Sequence, residues 1–93
     1  MSLRDAFRLL PLPFEINGVR CQLRRPTALD FVDAIQESQQ RPQSLYAWFA
    51  YRHLIDMEGK PVFVTVQEAL DSDGKMIWEI GKAAEQLYEE GRD

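Results

Sequence analysis

Leu12-Pro13-Phe14-Glu15-Ile16-Asn17-Gly18-Val19-Arg20-Cys21-Gln22-Leu23 is the stretch that decides the fold. Apolar residues alternate with polar ones on both sides of Asn17-Gly18, a period of two that belongs to strands. Asn-Gly suits a two-residue type I′ turn, which needs positive φ at both central positions. That turn places Ile16 opposite Val19, Phe14 opposite Cys21 and Leu12 opposite Leu23. All of these side chains then share one face, and Glu15, Arg20, Gln22 and Arg24 take the other. A lone hairpin is marginal in water, so something must cover its apolar face.

The remainder of the chain reads as helices. Upstream, Ser2 to Asp5 has the form of a capping box, and Leu3, Ala6, Phe7 and Leu10 follow the helical i, i+3, i+4, i+7 pattern until Pro11 and Pro13 stop it. So short a helix frays alone and must dock on its own domain or on another chain. Downstream, Thr27 to Asp30 is an N-cap signature, and Ala28, Phe31, Val32 and Ile35 form an apolar stripe widened by Leu29 and Ala34. Arg41-Pro42-Gln43 breaks the chain, and Ser44 then suits the cap of a helix over Leu45 to about Met57. Its apolar residues wrap most of the circumference, as in a central core helix or an oligomer surface. Gly59 fits the residue past that helix. Lys60 to Val64 reads as extended, and Thr65-Val66-Gln67-Glu68 opens a short helix with Val66, Ala69 and Leu70 inward. The last helix runs from about Gly74 to Glu90, with Ile77, Ile80, Ala84, Leu87 and Tyr88 inside. Lys75 with Glu79 and Lys82 with Glu85 are spaced to pair on its outer side. The expectation is an α+β single domain over 1–93, a β-hairpin packed against three to five helices. It divides into an N-terminal helical extension over 1–11, the hairpin over 12–25 and a helical part over 27–91.

A chain of 93 residues that is 45% hydrophobic and 28% charged has room for one core and is too apolar for disorder. Its net charge of −4 argues against non-specific nucleic-acid binding, which needs cations to neutralise phosphates. Arg20, Arg24 and Arg25 are read as the solvated side of the hairpin. No stretch is long enough to span a membrane, and Asp5 with no long apolar run does not suit a signal peptide, so a cytoplasmic location is expected. One cysteine excludes an internal disulfide, and Cys21 on the apolar face reads as structural.

Catalytic apparatus is not apparent, and no cofactor or metal is expected. His53 is the single histidine. A zinc site needs further ligands converging on it, and Asp56 three residues on supplies only one candidate. The expected place of His53 is the surface or boundary near a helix C-terminus, where positive charge is welcome. Asp71, Asp73 and Gly74 lack the closing glutamate of a calcium loop, since the twelfth position from Asp71 is Lys82. They are read as a turn and helix cap. No serine sits in a nucleophile-elbow context.

Binding is the better reading. Trp48 and Tyr51 crowd one helix. Trp78 lies about 100° from Ile77, off the inner stripe, where it is either a partner anchor or packed across Gly81. Leu3, Phe7, Leu10, Trp48, Tyr51 and Trp78 are therefore the candidate partner-binding residues.

Phe14-Glu15-Ile16-Asn17-Gly18-Val19 leads into Leu23-Arg24-Arg25-Pro26-Thr27-Ala28-Leu29-Asp30-Phe31, with Ile55-Asp56-Met57-Glu58-Gly59-Lys60-Pro61-Val62-Phe63 before a second Thr-capped helix. Over roughly residues 14 to 90 this order resembles the tail assembly chaperones of long-tailed bacteriophages and their prophage relatives, covering one domain. The N-terminal helix departs from relatives that start near the hairpin. The resemblance implies a non-enzymatic protein that coats the tape-measure protein, holding it soluble and extended until the tail tube polymerises. It implies action in the bacterial cytoplasm, absence from the mature virion, a homo-oligomer, and a longer form of the same protein made by frameshifting, of which this chain is the short form. Many weak copies along one client would act by avidity through helix-in-groove contacts. An alternative from the residues alone is a small bacterial adaptor or regulatory module docking on one folded partner. A third is an enzyme or metal protein built on His53 and a carboxylate.

Overall fold

The computed structural model describes residues 10–90, so the expected helix over Leu3 to Leu10 falls, except for Leu10, outside the described residues. The fold is α+β. Strands β1 (Leu12–Ile16) and β2 (Val19–Leu23) form the hairpin, followed by helix α1 (Ala28–Gln40), a 3-10 turn (Pro42–Ser44) and helix α2 (Leu45–His53). Strand β3 (Leu54–Ile55), helix α3 (Val66–Leu70) and helix α4 (Gly74–Glu90) complete it.

The hairpin has the register that its alternation predicts: Ile16 pairs with Val19, Phe14 with Cys21 and Leu12 with Leu23. Asn17 and Gly18 have φ of 50° and 78°, the left-handed values of a type I′ turn. Ile16, Cys21 and Leu23 are buried, Leu12 and Phe14 half-buried. Val19, expected beside them, is 64% exposed. β1 is an edge strand among the described residues, the sheet order being β1-β2-β3. Its register turns the backbone at Pro13 away from β2, where a residue without an N–H leaves no donor unpaired.

The third strand departs from the expected helix over Leu45 to Met57. α2 ends at His53, and Leu54 turns extended with φ −77° and ψ 119°. Leu54 and Ile55 then pair with Leu23 and Gln22, and the Arg24 N–H donates to the His53 carbonyl at 2.8 Å. Long-range pairing with β2 thus outweighs one more turn of helix. Gly59 consequently ends no helix. With φ 87° it closes a loop in which Asp56 Oδ1 accepts the N–H groups of Glu58 and Lys60, each at 2.9 Å. The chain returns extended, with a bridge between Ile55 and Pro61 and a bond from the Val62 N–H to the Leu54 carbonyl at 3.1 Å.

Capping follows the sequence except at Ser44, whose side chain makes no cap bond because a 3-10 turn leads directly into α2. Thr27 and Asp30 form the reciprocal capping box of α1. Thr65 Oγ1 accepts the Glu68 N–H at 3.2 Å, although Glu68 reaches back to the N–H of Val64 rather than that of Thr65. Asp73 Oδ1 takes the Met76 N–H at 3.0 Å, so the Asp71–Gly74 stretch is the turn and cap it reads as.

α2 is the central element. Ala47, Trp48, Phe49, Ala50 and His53 are buried, packed chiefly against the inner face of α4, where Ile77, Ile80, Ala84, Leu87 and Tyr88 lie as expected. The two helices nearly touch at Gly81. A Cβ there would stand 2.6 Å from Tyr46 Cβ and 2.8 Å from the Tyr46 backbone, so only glycine permits this crossing. In α3, Ala69 is fully buried while Leu70, expected inward, is 47% exposed.

Candidate functional site

The most polar part of the interior is a charge network, not a cleft. Asp30, on the first turn of α1, is 1% exposed. Its carboxylate receives Arg24 Nη1 at 2.9 Å and Nη2 at 3.1 Å, Arg52 Nε at 2.7 Å and the Thr27 N–H at 2.8 Å. Burial pushes this carboxyl up, but the bonds from Arg24, Thr27 and Arg52 outweigh it and hold it well below the usual carboxylate range. Arg52 also reaches Asp33 at 2.6 Å, and Arg24 donates to the Arg52 carbonyl. Arg24 is therefore a fixed member of the core boundary and not part of the solvated hairpin side.

His53 sits behind this network and is completely buried, not at the surface boundary where its position near a helix end suggested. Its Nδ1–H donates to the Arg24 carbonyl at 2.7 Å, and Nε2 accepts the Tyr88 hydroxyl. Burial lowers its pKa to about 4, so the ring is neutral at pH 7. Burial likewise raises the Tyr88 hydroxyl far above its ordinary range. Both ring nitrogens are engaged, leaving no lone pair for a metal or a substrate proton. Among the described residues, no group of three or more His, Cys, Asp or Glu is placed to hold a metal ion. No buried side-chain nitrogen or oxygen among them lacks a partner. The cluster ties β2, α1, α2 and α4 together.

The surface reads differently. On α1, Asp30 is buried, and Phe31 and Ala34 pack against the second core cluster around Phe49 and Tyr88, with Phe31 and Tyr88 ring centroids 5.0 Å apart. Leu29, Val32 and Ile35, which the sequence suggested as part of the inner stripe, are 63%, 62% and 56% exposed. At 100° per residue, Val32 points about 180° from the middle of the inward face, flanked by Leu29 and Ile35. The acids of α1 (Asp30, Asp33, Glu37) lie on the inward half, and its outward positions are Ala28, Leu29, Val32, Ile35, Gln36 and Gln39. The helix is thus inverted: charge inside, uncharged apolar surface outside. The reason is competition for one interior. Phe31 and Ala34 fit the aromatic core, and Asp30 answers two arginines, so the second apolar set is left in water. Beside it, a groove of about 260 Å³ runs between α1 and α4, with Ile35 at its edge and Phe49 and Tyr88 in its floor.

The sequence-selected binding residues do not form one patch. Leu3 and Phe7 lie outside the described residues. Leu10 is 67% exposed, its carbonyl held by Arg25 Nε at 2.9 Å. Trp48 is interior, beneath the Arg52 guanidinium at 5.4 Å, and offers no surface. Tyr51 is half-buried on a separate shallow cleft with Pro61 and Val64. Trp78 is 51% exposed, edge-on to Tyr46, with Lys82 Nζ 4.6 Å from its ring centre, so Lys82 stacks there instead of pairing with Glu85. Leu29, Val32 and Ile35 were missed because their i, i+3, i+6 spacing reads equally well as an inward stripe.

No helix among the described residues is long and apolar enough to cross a membrane. Comparison with protein-family models, with characterised proteins and with solved structures gives no match to this chain.

Proposed function

We propose that this protein is a non-enzymatic binding module that lends apolar helical surface to another polypeptide, acting as a tail assembly chaperone on the tape-measure protein of a long-tailed phage or prophage. The observation that carries the binding reading is the inverted helix α1, whose outward side exposes Leu29, Val32 and Ile35 with no charge among them. Contiguous exposed apolar surface on a small protein marks an interaction site. A stripe at i, i+3 and i+6 matches the way an amphipathic client helix packs. Three half-exposed aliphatic side chains make a weak contact, which suits repeated, displaceable binding along an extended client. The resemblance in the hairpin and the two Thr-capped helices supplies the choice of client, the bacterial cytoplasm as its place of action, and self-association.

Co-expression tests it. With the tape-measure protein encoded nearest its gene, the protein should carry that client into the soluble fraction, and Val32→Glu should abolish the effect while leaving the circular dichroism unchanged. A client equally insoluble with and without the protein overturns the chaperone assignment. A client solubilised equally by Val32→Glu overturns the placement of the face.

A further inference from the structure

We propose that the partner bound at this surface is a basic amphipathic helix, which seats one large apolar side chain in the groove between α1 and α4 and sets lysine or arginine against Glu85 and Glu89. The proposal rests on the binding-face reading and specifies the chemistry of what binds there. Ile35 belongs to both the exposed face of α1 and the groove, so the two surfaces are continuous. The groove floor is closed, with Phe49 and Tyr88 each 4% exposed. A cavity of roughly 150 Å³ takes a benzene ring. The groove, at about 260 Å³, therefore takes one large side chain and no helix. A partner helix has to lie outside, over Val32 and Ile35, and point an anchor inward.

Charge selects the partner. Glu85 and Glu89 stand one turn apart on the α4 side of the groove. Among the described residues neither is within ion-pair distance of a cation. Lys82, three residues before Glu85, stacks over Trp78 instead. The Tyr46 hydroxyl lies 3.4 Å from Glu85 Oε1, a long bond that brings no charge. Both acids are also near the C-terminal end of α4, where the helix dipole is already negative and a cation is stabilising. The described last turn of α4 carries no basic residue. The fold thus bears a repulsion that a cation from outside relieves. Asp33, on the other flank of α1, is already paired with Arg52 and takes no part. An acidic segment or an anionic lipid surface would meet the same repulsion at this rim, which favours a basic polypeptide as the occupant.

Two synthetic amphipathic peptides of about 18 residues, five helical turns, test this on the full chain. They share a leucine and phenylalanine face and carry either lysine or glutamate along its flanks. By fluorescence anisotropy at low salt, the lysine peptide should bind about tenfold more tightly than the glutamate peptide. Glu85→Gln with Glu89→Gln should weaken binding of the lysine peptide about fivefold. Glu15→Gln with Glu79→Gln removes the same net charge away from the groove and should leave binding within about twofold. Ser38→Trp, at an exposed position on the α1 wall, should fill the groove and abolish binding with the circular dichroism unchanged. Equal binding of the two peptides, equal loss in the control pair, or undiminished binding by Ser38→Trp overturns the proposal. This test and the client test fail separately. A tape-measure protein solubilised as well by Glu85→Gln with Glu89→Gln as by the unmodified chain removes the basic partner and leaves the chaperone assignment standing. A lysine peptide held in the groove by a protein that solubilises no client leaves the partner chemistry standing and removes the assignment.

Discussion

Helix α2 is the more apolar, with seven apolar residues of nine against six of thirteen in α1, and the two helices are opposite in where they put them. α2 encloses Ala47, Trp48, Phe49 and Ala50, each at most 4% exposed, whereas α1 leaves Leu29, Val32 and Ile35 more than half exposed. Composition is part of the difference, and competition for the interior is the rest. α2 lies between the sheet, α1 and α4 and has a neighbour on nearly every side. α1 touches the body along one side only, and its buried aspartate decides which. A carboxylate that satisfies two arginines therefore determines where the greasy surface of this molecule faces.

That contrast can be broken from the enclosed side first. Phe49→Ala should cost about 3–5 kcal/mol in chemical denaturation, because a buried aromatic between Trp48 and Tyr88 leaves a cavity. A loss below about 1 kcal/mol would put α2 at a surface. Asp30→Ala should cost about 3 kcal/mol, the low end for breaking a buried ion pair, since Arg24 and Arg52 retain partial access to water. If stability is unchanged, the aspartate does not orient α1.

Acid provides a graded version of the same test. The neutral, buried His53 refuses a proton that the unfolded chain takes up below about pH 6.5. Its contribution is complete above that pH and drains away as pH falls to about 4, the lowered folded value. Stability should drop by about 2–3 kcal/mol over that window, and His53→Gln should flatten the slope. Asp30 adds a separate loss at lower pH: the fold holds its carboxyl ionised while the unfolded chain's takes up a proton around the ordinary carboxylate range, so its contribution begins to drain only below about pH 5. An identical slope in His53→Gln would show that the ring is not buried neutral. At the small end, Val32→Gln should change stability by less than about 0.5 kcal/mol, as an exposed substitution does. A loss above about 2 kcal/mol would mean that the outward face is already packed.

Much of the fold was legible because short-range rules govern it. The Asn17-Gly18 turn and period-two alternation determine the hairpin register, and the inner face of α4 follows from its 3.6-residue pattern. What escaped depends on partners distant in sequence. Leu54 and Ile55 continue the helical run of α2 by composition, and only β2 draws them into the sheet. His53 looked peripheral by its place near a helix end, yet Tyr88, 35 residues on, completes its bonding. Gly81 carries no local sign that Tyr46 presses on it. For the candidate site, a surplus of apolar helical surface was readable. Its location was not: Trp48 and Tyr51 drew attention to the core helix, and two apolar sets on α1 compete for one interior with no local rule to rank them.

Pro13 has one last consequence. An exposed β1 with donors in every outward position would be a template onto which foreign strands, or further copies, could zip by backbone bonding and propagate into fibres. Proline removes the outward donor nearest the start of that edge, leaving Glu15 as the next, with a charged side chain beside it. An edge blunted in this way disfavours main-chain polymerisation, which is cumulative and hard to reverse, and leaves side-chain contacts as the easier way for this surface to meet another chain.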